Sequence, residues 1–393
     1  MANSDWKPRR LDELGFLGRG KSRHRPRNDA SLYGGKYPFI QTADVMAADP
    51  YITSYSQTYS ELGLLQSKMW PPETLCMTIA GANTAKTAIL KFKACFPDSI
   101  VGFIPDKSKS DIVFVKYALD QMRDRFLSVS RGATQDNLGL DKILSFPILA
   151  PDVDGQRRIG TILSAYDELI ENSQRRIKIL EGMARALYRE WFVHFRFPGH
   201  ESVARVPSTL GEIPNGWEVT TLGRLVEIKR GKNITKDTIR NGDVPVVAGG
   251  IAPAYFHDVP NTQSPVITIS ASGANAGFVN LYYVDVWASD CSFVDMVATP
   301  HVLYFYLWLD HRRAAVTHLQ RGSAQPHVYP KDLALLDAMR VPEDCLNAFN
   351  SQVDPLFALM MRLTAKVDNL RLTRDLLLPR LLSGQIDVEA MPS

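Results

Sequence analysis

The chain has 393 residues, 45% hydrophobic and 22% charged, with 17 Phe, 14 Tyr and 6 Trp; this is too long for one typical core and too apolar for extended disorder, so two or three folded domains are expected. A formal net charge of +3 and a pI of about 8.5 fall short of the pI above about 9 that marks a strongly basic nucleic-acid-binding domain. The scattered Cys76, Cys95, Cys291 and Cys345 form no C-x-x-C pair, which excludes a zinc ribbon or disulfide framework and reads as core thiols.

In chain order, the amino terminus MANSDWKPRR lacks the apolar stretch of a secretion signal, and no apolar run approaches the roughly 18 residues of a membrane span; a cytoplasmic protein without membrane contact is expected. Between Lys7 and Lys36 stand nine Lys or Arg against Asp12, Glu13 and Asp29, with Arg19, Lys21, Arg23, Arg25 and Arg27 on alternate positions. Such a block is either a solvated loop or a phosphate-tracking one. Short apolar runs at 37–40, 75–79 and 100–104 predict strands, and a helix is predicted near 111–128. The segment RGATQ follows from Arg131.

From Ile159 the residues Ile159, Leu163, Tyr166, Ile170, Ser173, Ile177, Leu180, Ala184, Leu187 and Trp191 fall at alternating steps of four and three, a heptad seam on one long helix. The stretch PGHESVARVPSTLGEIPNG from Pro198 reads as a linker rich in Pro and Gly. The chain then repeats itself. Trp6, Leu11, Leu14 and Arg19-Gly20-Lys21 return as Trp217, Leu222, Leu225 and Arg230-Gly231-Lys232 at an offset of 211. Gly81-Ala82-Asn83 returns as Gly273-Ala274-Asn275 at 192, and RGATQ as RGSAQ from Arg321 at 190. Strands are predicted at 244–247, 266–269 and 281–284, and a helix near 300–318. The seam recurs as Phe349, Val353, Leu356, Met360, Leu363, Val367, Leu370, Arg374, Leu377 and Leu381, with only Arg374 polar.

The preserved order of motifs makes the chain two copies of one unit. The predicted fold is α+β: similar globular domains at 1–150 and 215–342, long helices at 151–197 and 343–386, a linker at 198–214, and the helices paired as an antiparallel coiled coil about an internal pseudo-twofold. The alternative is a helix packed flat on its own domain, which also gives a 3–4 stripe. Pro355 suits the first turn of the second helix, whereas Pro379 should kink or end it, with Ser383-Gly384 as the stop.

Catalytic patterns are missing. There is no G-x-x-x-x-G-K-[ST] loop, no H-E-x-x-H or His/Cys cluster, and no Asn-Pro-Pro-aromatic signature. Pro-Asp pairs at Pro97, Pro105 and Pro151 lie too far from Glu227-Ile228-Lys229 to make a nuclease centre. No catalytic residue, metal or bound cofactor is expected. What remains is a binder with two heads on a rigid spacer, a device that makes the second binding event intramolecular.

The segments LLLPRLLSGQI from Leu376, REWFVHF from Arg189, SGANAGFV from Ser272 and RGSAQPHVYPKDL from Arg321, in order around two long helices, resemble the specificity subunits of type I restriction-modification systems over essentially the whole chain. The resemblance implies two target recognition domains, each reading half of a bipartite double-stranded DNA sequence, with the helices as a ruler. It implies two methyltransferase subunits that use S-adenosylmethionine, and motor-nuclease subunits that use ATP and Mg. The first copy departs from it, with Asp136-Asn137 where the second has the commoner Pro326-His327.

Arg19 and Lys21, like Arg230 and Lys232, flank a glycine that lets the backbone approach a ligand; they are assigned to DNA, the alternative being an exposed turn. Asn83 and Asn275 could read adenine or bond their own backbone, the second being favoured. Arg131, Gln135, Arg321, Gln325 and His327 share a loop pattern that suits phosphate gripping or loop shaping better than base readout. Arg23, Arg25, Asn233 and Lys236 are candidates for specificity, and Lys86 for DNA contact. Trp191, Phe192, Leu381 and Leu382 are assigned either to partner docking or to capping of the recognition domains. Two other functions stay open: a two-headed structural adaptor for proteins, and a DNA-specificity subunit of a methylation-based defence that does not restrict.

Overall fold

A computed structural model of the chain describes residues 6–24, 26–81, 84–130, 138–322 and 325–388. It divides into two compact units, Met1–Asn172 with Lys366–Ser393, and Ser173–Ala365. Four helices organise it: α1 (Ile112–Gln121), α2 (Val153–Phe192), α3 (Val302–His311) and α4 (Glu343–Leu382). The two long ones have 40 residues each, about 60 Å at about 1.5 Å per residue.

In the first unit a five-stranded sheet has the order β1 (Gly15–Arg19), β5 (Ile100–Pro105), β3 (Leu75–Thr78), β4 (Thr87–Leu90) and β2 (Tyr51–Ile52). All neighbours are antiparallel except β2, which runs parallel to β4. Strand β3 is buried along its whole length, as expected of a strand covered on both faces. One side packs Leu75, Phe103 and Phe114 with Ile159 and Leu163 of α2 and Leu378 and Leu381 of α4; the other packs Trp70, Phe96 and Ile100.

The second unit repeats this in reduced form, with sheet order β6 (Lys229–Arg230), β9 (Cys291–Val294), β7 (Val266–Ser270) and β8 (Val279–Tyr282). A two-stranded ribbon closes each globular domain just before its long helix: Lys7–Arg9 with Ile148–Ala150, and Glu218–Thr221 with Asp337–Arg340. The helices predicted near 111–128 and 300–318 form, and both break at the same place in the repeat. Helix α1 is followed by Arg123–Ser130 after Met122, and α3 by Arg313–His318 after Arg312.

Every predicted seam residue is buried or half-buried. The first unit holds the opening half of α2 with the closing half of α4, and the second unit holds the complementary halves. In the first, Arg374 of α4 pairs with Asp167 of α2; in the second, Trp191 of α2 meets Phe349 of α4 at 5.5 Å between ring centres. The helices therefore pair antiparallel. Each also packs on its own domain, Ile159 and Leu163 sharing a core with Phe114 and Phe349 and Val353 with Phe305, so the seam and the flat-packed stripe coexist.

Three local expectations need correction. Pro355 lies well inside α4, and the helix also runs through Pro379 to Leu382. Both prolines are exposed, so water can satisfy the carbonyls they leave unbonded. The stop at Gly384 forms as expected: φ is +71°, Gly384 N–H donates to Leu381 O, and Gln385 N–H donates to Arg380 O at 3.0 Å. Within the expected linker, Arg205–Ser208 and Gly211–Pro214 form an antiparallel hairpin, turned at Gly211 with φ +95°.

Candidate nucleic-acid interface

Each Arg-Gly-Lys segment lies as a strap across the turn that leads into an interior strand of its unit's sheet, β5 in the first unit and β9 in the second. In the first unit Gly20 N–H donates to Ile100 O at 2.8 Å and Lys21 N–H to Phe96 O at 3.0 Å. In the second, Gly231 N–H donates to Cys291 O at 2.8 Å and Lys232 N–H to Ala288 O at 2.9 Å. A third bond pins each strap from outside: the Ser67 hydroxyl donates to Lys21 O, and the Trp287 indole to Lys232 O, both at 2.8 Å. The glycines are required because a Cβ at Gly20 would collide with the Pro97 and Phe96 carbonyls, and one at Gly231 with those of Ser289 and Ala288. The close approach assigned to a ligand is thus made by the protein's own turn. The flanking Arg19 and Lys232 are exposed and Lys21 is half-buried.

The turn beneath each strap carries an aspartate. Asp290 accepts from Arg230 Nη2 at 2.6 Å and from the Ser272 hydroxyl, while Ala271 N–H donates to its backbone carbonyl. Asp98 accepts from Arg27 Nη2 at 2.8 Å on both carboxylate oxygens. Under the second strap, burial pushes the Cys291 thiol up to about 12, leaving it an inert core group. Cys76 and Cys95 are also buried, and burial holds the half-buried Cys345 at about 11.

The RGSAQ loop is gathered beside Ser272. Arg321 and His327 exchange backbone bonds of 2.9 and 2.8 Å, closing a loop in which Gly322 takes φ +95°. The Arg321 guanidinium is tied to the buried Asp332 at 2.6 Å. Gly273 N–H donates to Pro326 O, and the His327 ring stacks on Tyr329 at 5.9 Å. These contacts fit loop shaping. Asn275 is exposed and uses its backbone carbonyl to accept from Phe278 N–H. Gln325, Lys86, Arg23 and Asn233 are exposed, and Lys236 Nζ sits 5.7 Å from the Tyr255 ring. Arg25, Asn83, Arg131 and Gln135 lie outside the described residues.

The docking assignment is not what the structure shows at three of its four residues. Trp191, Phe192 and Leu381 are 5%, 3% and 1% exposed, and Leu382 is half-buried. Phe192 packs edge-on to Phe349 at 4.7 Å and lies 5.9 Å from Trp217. In the other unit Trp6, the repeat partner of Trp217, covers Gly384 at the end of α4. An entering tryptophan thus caps the end of a long helix in each unit, and burial leaves these rings no surface for a partner.

Sequence reasoning missed Arg27, Asp98 and Asp290 as site residues. Arg27 was visible only as one of five alternating cations. The aspartates acquire meaning only when the sheet brings them under the straps, 71 residues from Arg27 and 60 from Arg230.

The family model described as the type I restriction modification DNA specificity domain matches residues 3–181 and 214–339. The type I restriction enzyme MjaIX specificity subunit of Methanocaldococcus jannaschii is 24% identical over 413 residues, covering 98% of this chain and 95% of the relative. The HindI specificity subunit of Haemophilus influenzae is 22% identical, covering 67% of this chain and 74% of its own. The crystal structure of a type I restriction-modification S subunit from M. genitalium has the same fold, with a TM-score of 0.65 at 18% identity over 97% of this chain and 96% of that one. With two matched segments, duplicated sheets and paired helices, this chain belongs to the type I restriction-modification DNA specificity family.

Proposed function

We propose that this chain reads a bipartite double-stranded DNA sequence, one half per globular domain, and that the paired helices set the separation of the halves. The observation that carries this reading is the duplicated Arg-Gly-Lys strap, pinned to the same turn of each sheet by equivalent backbone bonds. Two domains of one fold joined by a stiff element make the second DNA contact intramolecular. Rigid spacing also restricts binding to half-sites a set distance apart along the duplex.

The chain acts as the non-catalytic address of a larger assembly. Methyltransferase subunits supply S-adenosylmethionine-dependent base methylation, and motor-nuclease subunits supply ATP- and Mg-dependent cleavage. A system without the motor-nuclease would use the same address for methylation alone.

Gel shifts with random duplex at low salt, followed by mapping of methylated bases in a host carrying the system, test this. The expected result is salt-sensitive duplex binding and a methylated motif in two halves with a fixed unspecified gap. Failure to bind any duplex at low salt favours a two-headed protein adaptor instead.

A further inference from the structure

The two straps differ in sequence around the motif, yet each unit arrives at the same side-chain pair. In the second unit the arginine belongs to the motif itself, Arg230. In the first it is Arg27, eight residues beyond Arg19. Both are exposed, and both give Nη2 to the aspartate on the turn under the strap.

An aspartate is a poor neighbour for a residue that merely neutralises phosphate, because its charge cancels the cation and repels the DNA backbone. Its value lies in orientation. A guanidinium has five N–H donors in one plane, so a carboxylate at one nitrogen fixes the plane and leaves a two-donor edge unfilled. Such an edge matches the O6 and N7 acceptors of guanine in the major groove. Lys21 and Lys232, point charges on flexible stems, suit phosphate instead.

We propose that Arg27 and Arg230 each read a guanine, one in each half of the target, and that Asp98 and Asp290 are the positioning residues that hold their planes. This rests on the DNA-reading function proposed above.

The test selects bound sequences from a pool of duplexes of randomised sequence, using the full chain and the variants Arg230→Lys, Arg27→Lys and Asp290→Asn. Lysine keeps the charge and loses the fork. Arg230→Lys should reduce the preference for one G·C pair by about 5- to 150-fold and leave the other positions unchanged. Arg27→Lys should do the same in the other half. Asp290→Asn should weaken the same position as Arg230→Lys while the salt dependence of binding is retained; a Ser272→Ala control, which removes only the hydroxyl contact to Asp290, should keep the motif.

Selection of the wild-type motif by Arg230→Lys, with affinity unchanged or lowered equally for all sequences, would overturn the proposal and leave DNA reading intact. If the wild-type chain enriches no sequence at all, the underlying reading fails with it.

Discussion

Arg374 Nη1 lies 2.8 Å from Asp167 Oδ1, with 12% and 1% of the two side chains exposed, and the Tyr117 hydroxyl donates to the same carboxylate at 2.7 Å. This ion pair sits at the helix seam of the first unit, where every seam position other than Arg374 is apolar or aromatic. The repeat-related positions in the second unit are Ala184, Phe357 and Leu307, all buried in one apolar cluster. One architecture thus carries a polar triad in one copy and a hydrophobic triad in the other.

Breaking the polar triad from one side should cost more than replacing it whole. Arg374→Ala leaves Asp167 charged and buried, for an expected loss of about 3–5 kcal/mol. The triple variant Tyr117→Leu, Asp167→Phe, Arg374→Ala installs the other copy's residues. It should return to the parent's stability or exceed it, by up to about 4 kcal/mol. Denaturant unfolding of the three proteins side by side checks the order; a triple variant weaker than Arg374→Ala would show that the two triads are not interchangeable.

The same pair fixes a pH dependence. Burial holds the Asp167 carboxyl above its ordinary range, while the Tyr117 hydroxyl and the Arg374 guanidinium draw it down. Removing Arg374 raises it further. A carboxyl whose folded pKa lies above its unfolded value of about 3.9 loses stability as pH rises through the folded value. The stability gap between wild type and Arg374→Ala should therefore widen above the wild type's own raised folded value, toward neutrality, as melting curves at stepped pH would show; a constant gap would place the cost elsewhere.

Gly231→Ala should act on folding before it acts on DNA. The added Cβ meets two backbone carbonyls that cannot move without breaking the strap. The expected penalty is about 1–3 kcal/mol, visible as a lowered thermal midpoint without DNA. An unchanged midpoint with weakened binding would return this glycine to a ligand-approach role.

Lys232→Ala should weaken all duplex sequences alike and lower the slope of log affinity against log salt by about one unit. The Lys232 side chain is exposed, so stability should change little. Unchanged salt dependence would remove Lys232 from the interface.

The duplication and the helices were legible because they rest on local spacing, and every seam residue from Ile159 to Leu381 takes a buried or half-buried place. What escaped was set by long-range contacts. Asp167 stands beside the seam pattern and gains its meaning from Arg374, 207 residues away. Trp191 and Phe192 looked like surplus bulk because the rings that receive them, Trp217, Tyr304 and Phe349, come from distant segments. Pro355 and Pro379 misled because exposure, which makes an interior proline tolerable, is not written in the local sequence.

Exchanging the segment before Asp152 for that of a relative with a different target, then mapping the methylated sequence, addresses two independent readers most directly. One half of the motif should change while the other half and the gap stay fixed. A change in both halves, or in the gap alone, would contradict the assignment of one half-site to each globular domain.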